Sequence, residues 1–201
     1  MMSKNNFVPI LEEFDLNRTQ FYQAWSTGTL STKALEIYAN EYGNFIGQLS
    51  DGWKTLGNEY QAQIENNHYD LWKNDFCRAL NVEISEITLP AVKDLMITAK
   101  DMFSKKISAL GSLYIFIAQQ ASTSKSKLEG MRKYYQLPTY SESYFQEHLE
   151  SDILAKKLMI LIEELPAEDQ KKVIEAAHIF AKKLFQALEN IYDKYPSRIS
   201  L

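Results

Sequence analysis

The stretch Tyr144-Phe145-Gln146-Glu147-His148-Leu149-Glu150-Ser151-Asp152 carries residue types that can hold a metal. On a continuous helix His148, Asp152 and position 155 fall at i, i+4 and i+7 and share one stripe. An imidazole nitrogen and a carboxylate at that spacing can grip one ion, and a third ligand at 155 would complete a set. The residue there is Ala155. An earlier segment offers a second pair, Glu65-x-x-His68, within a run that puts Gln61, Glu65, His68, Trp72 and Phe76 on one helical face. Glu-x-x-His is a spacing that lets one metal take both a carboxylate and an imidazole from a single helix. The plainer reading of both pairs is polar neighbours on helix surfaces.

The elements that must position these groups read as helices. Apolar residues recur at three and four positions along most of the chain, and no run of alternating β-branched residues suggests a strand. Pro90 and Pro166 stand where helices start, Pro138 separates two, and Glu168 and Asp169 suit the positive end of the last helix. Ser31 is a good N-cap, and Thr139-x-x-Glu142 reads as a capping box. The pattern predicts helices near 7–26, 31–50, 58–80, 90–121, 123–136, 140–165 and 167–193. With no repeat, linker or low-complexity tract between them, the expectation is all-α: one helical bundle spanning residues 1–201 as a single domain.

Composition narrows the function. A chain of 201 residues with 45% hydrophobic and 24% charged residues has the balance of a soluble globular protein. A net charge of -4 leaves no basic excess for phosphate contacts, so no nucleic-acid partner is expected; Lys156-Lys157, Lys171-Lys172 and Lys182-Lys183 read as dispersed solvated charges. The single cysteine, Cys77, reads as a small buried hydrophobe and fits a reducing cytosol. No leader pattern opens the chain, and the longest apolar run, Ile107 to Ala118, falls short of the roughly 20 residues a bilayer span needs. The expected location is cytoplasmic, without a membrane partner. His178, among Ile174, Ala177 and Ala181, reads as packing.

Longer patterns carry a resemblance. Phe21-Tyr22-x-x-Trp25-Ser26-x-Gly28-x-Leu30, then Tyr38-Ala39-x-x-Tyr42, then His68-x-Asp70-Leu71-Trp72, resemble the haem-oxygenase-like di-iron oxidases. Within them the chain is most similar to the CADD-like branch, relatives of the PQQ-synthesis oxidase PqqC and of the TenA thiaminases. Leu110-Gly111-Ser112-Leu113-Tyr114, Gly130-Met131-x-x-Tyr134-Tyr135 and Tyr144-Phe145-x-x-His148-x-x-x-Asp152 resemble its later segments.

The resemblance implies a haem-oxygenase-like fold with six ligands from three helices. His68, His148 and Asp152 match three of them, and the first glutamate is either Glu65 or position 61, which is Gln61 here. Two other positions are Ile117 and Ala155, which offer no lone pair. The surviving groups predict at most one iron, held by His68, His148 and Asp152 with Glu65 as a fourth ligand or outer partner. Two histidines and a carboxylate form the facial set of mononuclear non-haem iron oxygenases. The competing expectation is no cofactor, the same groups hydrogen-bonding one another in an empty pocket.

Some CADD-like relatives make a p-aminobenzoate-type folate precursor from a tyrosine and a lysine of the protein itself, and Tyr22 and Lys127 stand where the resemblance puts such groups. A thiaminase would need an activated cysteine, for which Cys77 shows no partner. Two functions therefore stand. One is an oxidase or oxygenase acting on a small aromatic or amine molecule in the bundle's central cavity. The other is a metal-free module for ligand binding or protein interaction. A homodimer stays open.

Overall fold

The structure is a computed structural model that describes residues 6–195. Residues 1–5 and 196–201, including the start of the stretch read for a leader, lie outside it. Its elements run in the order α1 (Val8–Glu13), a 3-10 turn (Leu16–Arg18), α2 (Gln20–Ser26), α3 (Thr32–Ile46), α4 (Leu49–Thr55) and α5 (Glu59–Leu71). A π-helical segment (Trp72–Cys77) continues α5. Then come α6 (Pro90–Phe103), α7 (Lys106–Tyr134), a second 3-10 turn (Thr139–Glu142), α8 (Ser143–Glu147), α9 (Ser151–Glu163) and α10 (Ala167–Lys194). No strand occurs among the described residues, as the periodicity predicts.

Local chemistry explains most boundaries. Ser31 caps α3, its hydroxyl accepting from the Ala34 amide at 3.1 Å, and Pro90 opens α6. Thr19 caps α2 by accepting from the Tyr22 amide, and Asp15 caps the preceding turn, so the helix expected over 7–26 is three short pieces. The expected capping box at Thr139 does not form. The Glu142 carboxylate instead takes both Nε and Nη2 of Arg132.

Two further boundaries differ from expectation. Lys105 is extended and separates α6 from α7, while α7 runs unbroken through 121–123. The helix expected over 140–165 stops at Glu147 and restarts at Ser151. There the His148 ring Nδ1 bonds the Tyr144 carbonyl at 2.6 Å, occupying the acceptor that a helical amide at 148 would use. The amide of His148 turns to Phe145 instead, at 3.3 Å.

α7 is the hub of the bundle, packed by α2, α9 and α10. It meets α10 at Gly111, where any Cβ would collide with the carbonyl oxygen of Val173. Trp25, Tyr38, Trp72, Phe76 and Phe145 build a fully buried aromatic centre of edge-on and stacked rings. Each such ring removed from water contributes roughly 1.5–3 kcal/mol. Trp72 anchors the π-helical segment by donating from Nε1 to the Ala39 carbonyl at 2.9 Å. Among the described residues no helix is long and apolar enough to cross a membrane.

Candidate active site

α5 presents Glu65 and His68 on one face, as the three-residue spacing requires. His68 Nδ1 lies 3.4 Å from Glu65 Oε2, and Gln61 Nε2 reaches Glu65 Oε1 at 3.5 Å. Glu65 is buried at 4% exposure. A π-helical segment starting four residues after His68 fits the frequent occurrence of such distortions at functional sites.

His148 arrives from the other side, at the C-cap of α8. Its Nδ1 must carry the proton, because the Tyr144 carbonyl only accepts. Nε2 therefore offers a lone pair, yet it is buried with no hydrogen-bond partner. An unsatisfied buried polar atom costs about 1–3 kcal/mol. The His68 and His148 rings are 4.5 Å apart, and one ligand atom from each of Glu65, His68 and His148 lies within 4.8 Å of the other two. Burial, then the neighbouring His68, pushes the His148 pKa down to about 4, so the ring is neutral and ready to ligate at pH 7. Two imidazoles, a carboxylate and an orphaned lone pair fit one divalent transition ion.

The structure leaves Asp152 out of this cluster. The break at His148–Glu150 removes the continuous helix on which the i, i+4 geometry depended, and Asp152 is exposed at the start of α9. Glu65, expected as a fourth ligand or outer partner, stands in the carboxylate place. Ala155 and Ile117 are buried and apolar. Among the described residues no second cluster of this kind forms.

Beside the triad lies a buried polar pocket that joins Tyr22 to Lys127. Lys127, from α7, is buried rather than solvated, and its Nζ donates to the Tyr22 hydroxyl at 3.2 Å. The ammonium also sits 4.7 Å from the Tyr22 ring and 5.1 Å from the Phe145 ring, and no carboxylate pairs with it among the described residues. Burial alone pushes its pKa down to about 7. The Tyr22 hydroxyl lies 3.1 Å from that of Tyr38. Burial raises the phenols of Tyr22, Tyr38, Tyr42 and Tyr144 well above the usual value, so all four are neutral at pH 7. The space left between them is about 10 Å³, room for no more than one water.

Tyr144 connects the two groups. Its ring packs on His148 at 4.4 Å and faces His68 at 6.4 Å, and with the Gln120 side chain it lines the buried pocket beside Tyr22. Neither residue was singled out from the sequence for a role in the site. The available signal was Gln120, Thr123, Ser124 and Lys127 at i, i+3, i+4 and i+7, a polar stripe on one face of α7.

The remaining candidates fall away from the site. Cys77 is buried, its thiol pushed up to about 12, and it only approaches the Ala39 carbonyl at 3.6 Å. His178 is exposed rather than packed, its edge against Phe14 and Nε2 3.8 Å from Glu13.

No protein-family model matches the chain. The 4-aminobenzoate synthase of Chlamydia muridarum (strain MoPn / Nigg) is 28% identical over 196 residues, covering 86% of this chain and 83% of that protein. The 4-aminobenzoate synthase of Chlamydia trachomatis serovar D is also 28% identical over 196 residues, covering 86% and 84%. Among solved structures, a Shewanella denitrificans OS217 domain with a heme oxygenase-like fold superposes with a TM-score of 0.82 at 14% identity, over 97% of this chain and 94% of that one. A TenA homologue from P. horikoshii OT3 gives 0.75 at 12% identity, over 94% and 96%. A CADD-like protein from Nostoc punctiforme PCC 73102 gives 0.67 at 15%, over 92% and 88%. The helical bundle around Glu65, His68, His148 and Lys127 is thus the haem-oxygenase-like fold, the fold this chain shares with TenA homologues and CADD-like proteins.

Proposed function

We propose that this chain is an oxygen-dependent 4-aminobenzoate synthase that consumes its own Tyr22 and takes nitrogen from its own Lys127. The observation that carries this reading is the 3.2 Å contact between the Lys127 amine and the Tyr22 hydroxyl, in a space that admits one water and no separate aromatic substrate. 4-Aminobenzoate is a benzene ring with nitrogen para to a carboxyl carbon. Tyr22 supplies a ring with oxygen para to Cβ, and Lys127 holds an amine beside that oxygen. The conversion exchanges the ring C–O bond for C–N, cleaves Cα–Cβ and oxidises Cβ to carboxyl, with dioxygen as the oxidant.

Lys127 contributes a neutral amine. A pKa of about 7 leaves a large fraction unprotonated at neutral pH, whereas an ordinary lysine near 10.4 leaves less than about one part in a thousand. The phenol of Tyr38, 3.1 Å from that of Tyr22, helps to hold its ring in place. The buried walls leave room for no more than one water that could compete for oxidised carbon. One transition metal, held by Glu65, His68 and His148, would supply activation of dioxygen when bound. The names of the chlamydial relatives support the product assignment. The apolar Ile117 and Ala155 favour a second reading, a metal-free binding module.

The test is production of protein in iron-supplemented cells fed 15N-lysine, followed by aerobic incubation with a reductant. The expected outcome is 15N-labelled 4-aminobenzoate, with a matching mass loss in the peptide containing Tyr22. Tyr22→Phe and Lys127→Ala abolish both. Unlabelled product, or no product from iron-loaded protein, overturns the reading, and absence of both product and bound metal favours the binding module.

A further inference from the structure

A second cavity, distinct from the buried tyrosine pocket, opens between α1, α7 and α9 with a volume of about 560 Å³. This is within the range of small-molecule sites, roughly 300–1,000 Å³. Its lining is mainly apolar, from Leu11, Ala118, Ala155, Met159 and Ile160, with Tyr114 beside them. The two alanines belong to α7 and α9, and their small side chains leave the cleft between those helices unfilled. At its edge stand Asp152 and Lys156.

These two charges share one lining of the cleft. They are four residues apart on α9, acid toward the N-terminus and base after it, the order that favours a helical ion pair. Yet no ion pair or hydrogen bond joins them, and neither has another such partner among the described residues. Some i,i+4 acid–base pairs elsewhere close, as Lys105 with Asp101 and Lys172 with Glu168, and others stay open, as Glu129 with Lys133. Asp152 and Lys156 thus present one negative and one positive group, both unpaired, over a shared apolar floor.

We propose that this cleft binds a zwitterionic α-amino acid with an apolar or aromatic side chain. Its ammonium meets Asp152, its carboxylate meets Lys156, and its side chain lies on Leu11, Ala118, Ala155 and Met159. A ligand of one charge leaves the opposite group unmatched, and a ligand without a side chain leaves the floor wet. The site is independent of the chemistry at Tyr22, since it shares no residue with that pocket.

Calorimetric titration of the full-length chain tests this with L-phenylalanine and L-leucine, against phenethylamine, 3-phenylpropionate and glycine. The expected result is a Kd below about 1 mM for at least one of the two amino acids, with the three truncated probes at least about tenfold weaker. Asp152→Asn and Lys156→Met, both at exposed positions that leave the fold intact, each weaken the amino acid by about tenfold. Asp152→Asn leaves 3-phenylpropionate unchanged, and Lys156→Met leaves phenethylamine unchanged. No heat from either amino acid at about 10 mM overturns the proposal. So does equal binding of a single-charge probe, or a loss confined to one of the two variants.

Discussion

The amine of Lys127 lies 3.2 Å from the phenolic oxygen of Tyr22, and no carboxylate among the described residues offsets its charge. Folding therefore has to take an ammonium out of water or release its proton. The unfolded chain keeps that proton up to about 10.5, whereas the buried group loses it near 7. Between those values the unfolded state binds more protons, so stability contributed at this site rises with pH across that window. Below it both states are protonated and the penalty is at its full size. Lys127→Met removes the penalty, so the variant unfolds at higher urea than wild type near about pH 6, by a few kcal/mol at about 1.4 kcal/mol per tenfold in proton affinity. The advantage shrinks toward about pH 10. Urea titrations across this range check it; a constant gap would refute a buried, titrating lysine.

Metal content separates the triad from Asp152. Protein loaded anaerobically with ferrous ion and desalted should retain about one equivalent. Glu65→Gln, His68→Ala and His148→Ala should each cost more than the roughly 10–100-fold in affinity typical of an outer partner and lose the ion on desalting. Asp152→Asn should retain it. Loss of metal in Asp152→Asn with retention in Glu65→Gln would reverse the assignment.

Restoring a histidine at the third stripe position should not recruit a second ion. Ala155 lines the cleft with Asp152, and neither belongs to the Glu65–His68–His148 cluster. Ala155→His is thus expected to keep the wild-type metal stoichiometry, read by elemental analysis. A second equivalent would show that the segment after His148 rearranges around metal.

Gly111 sets the approach of α7 to α10. Alanine is a better helix former by about 1 kcal/mol. A Cβ there, however, meets the backbone carbonyl of Val173, which cannot swing away as a side-chain tip could. Overpacking costs about 1–3 kcal/mol, so Gly111→Ala should destabilise on balance and lower the urea midpoint. A neutral or stabilising result would mean that α10 slides without loss.

The residues legible in the sequence were those whose geometry is local. Glu65 and His68 meet because three-residue spacing survives along any straight helix. Ser31, Pro90 and Pro166 mark helix starts through backbone chemistry confined to a few residues. The His148–Asp152 stripe failed because no glycine or proline marks the break between α8 and α9. That break is tied to a side chain, the His148 ring on the Tyr144 carbonyl, which no periodicity records. The boundary at Lys105 was hidden for a similar reason, since Met102-Phe103-Ser104-Lys105 also carries no punctuation. The meeting of Lys127 with Tyr22 joins residues 105 positions apart, and only the resemblance suggested it.

An amine buried without a counter-charge is a burden that folding alone would discard. Random variants selected only for survival on heating should therefore lose Lys127 early, to methionine or leucine. Variants selected for a product should keep it despite the lower melting point. The position thus works as a gauge of what a population of such chains is being kept for, readable by sequencing before any ligand or metabolite is identified.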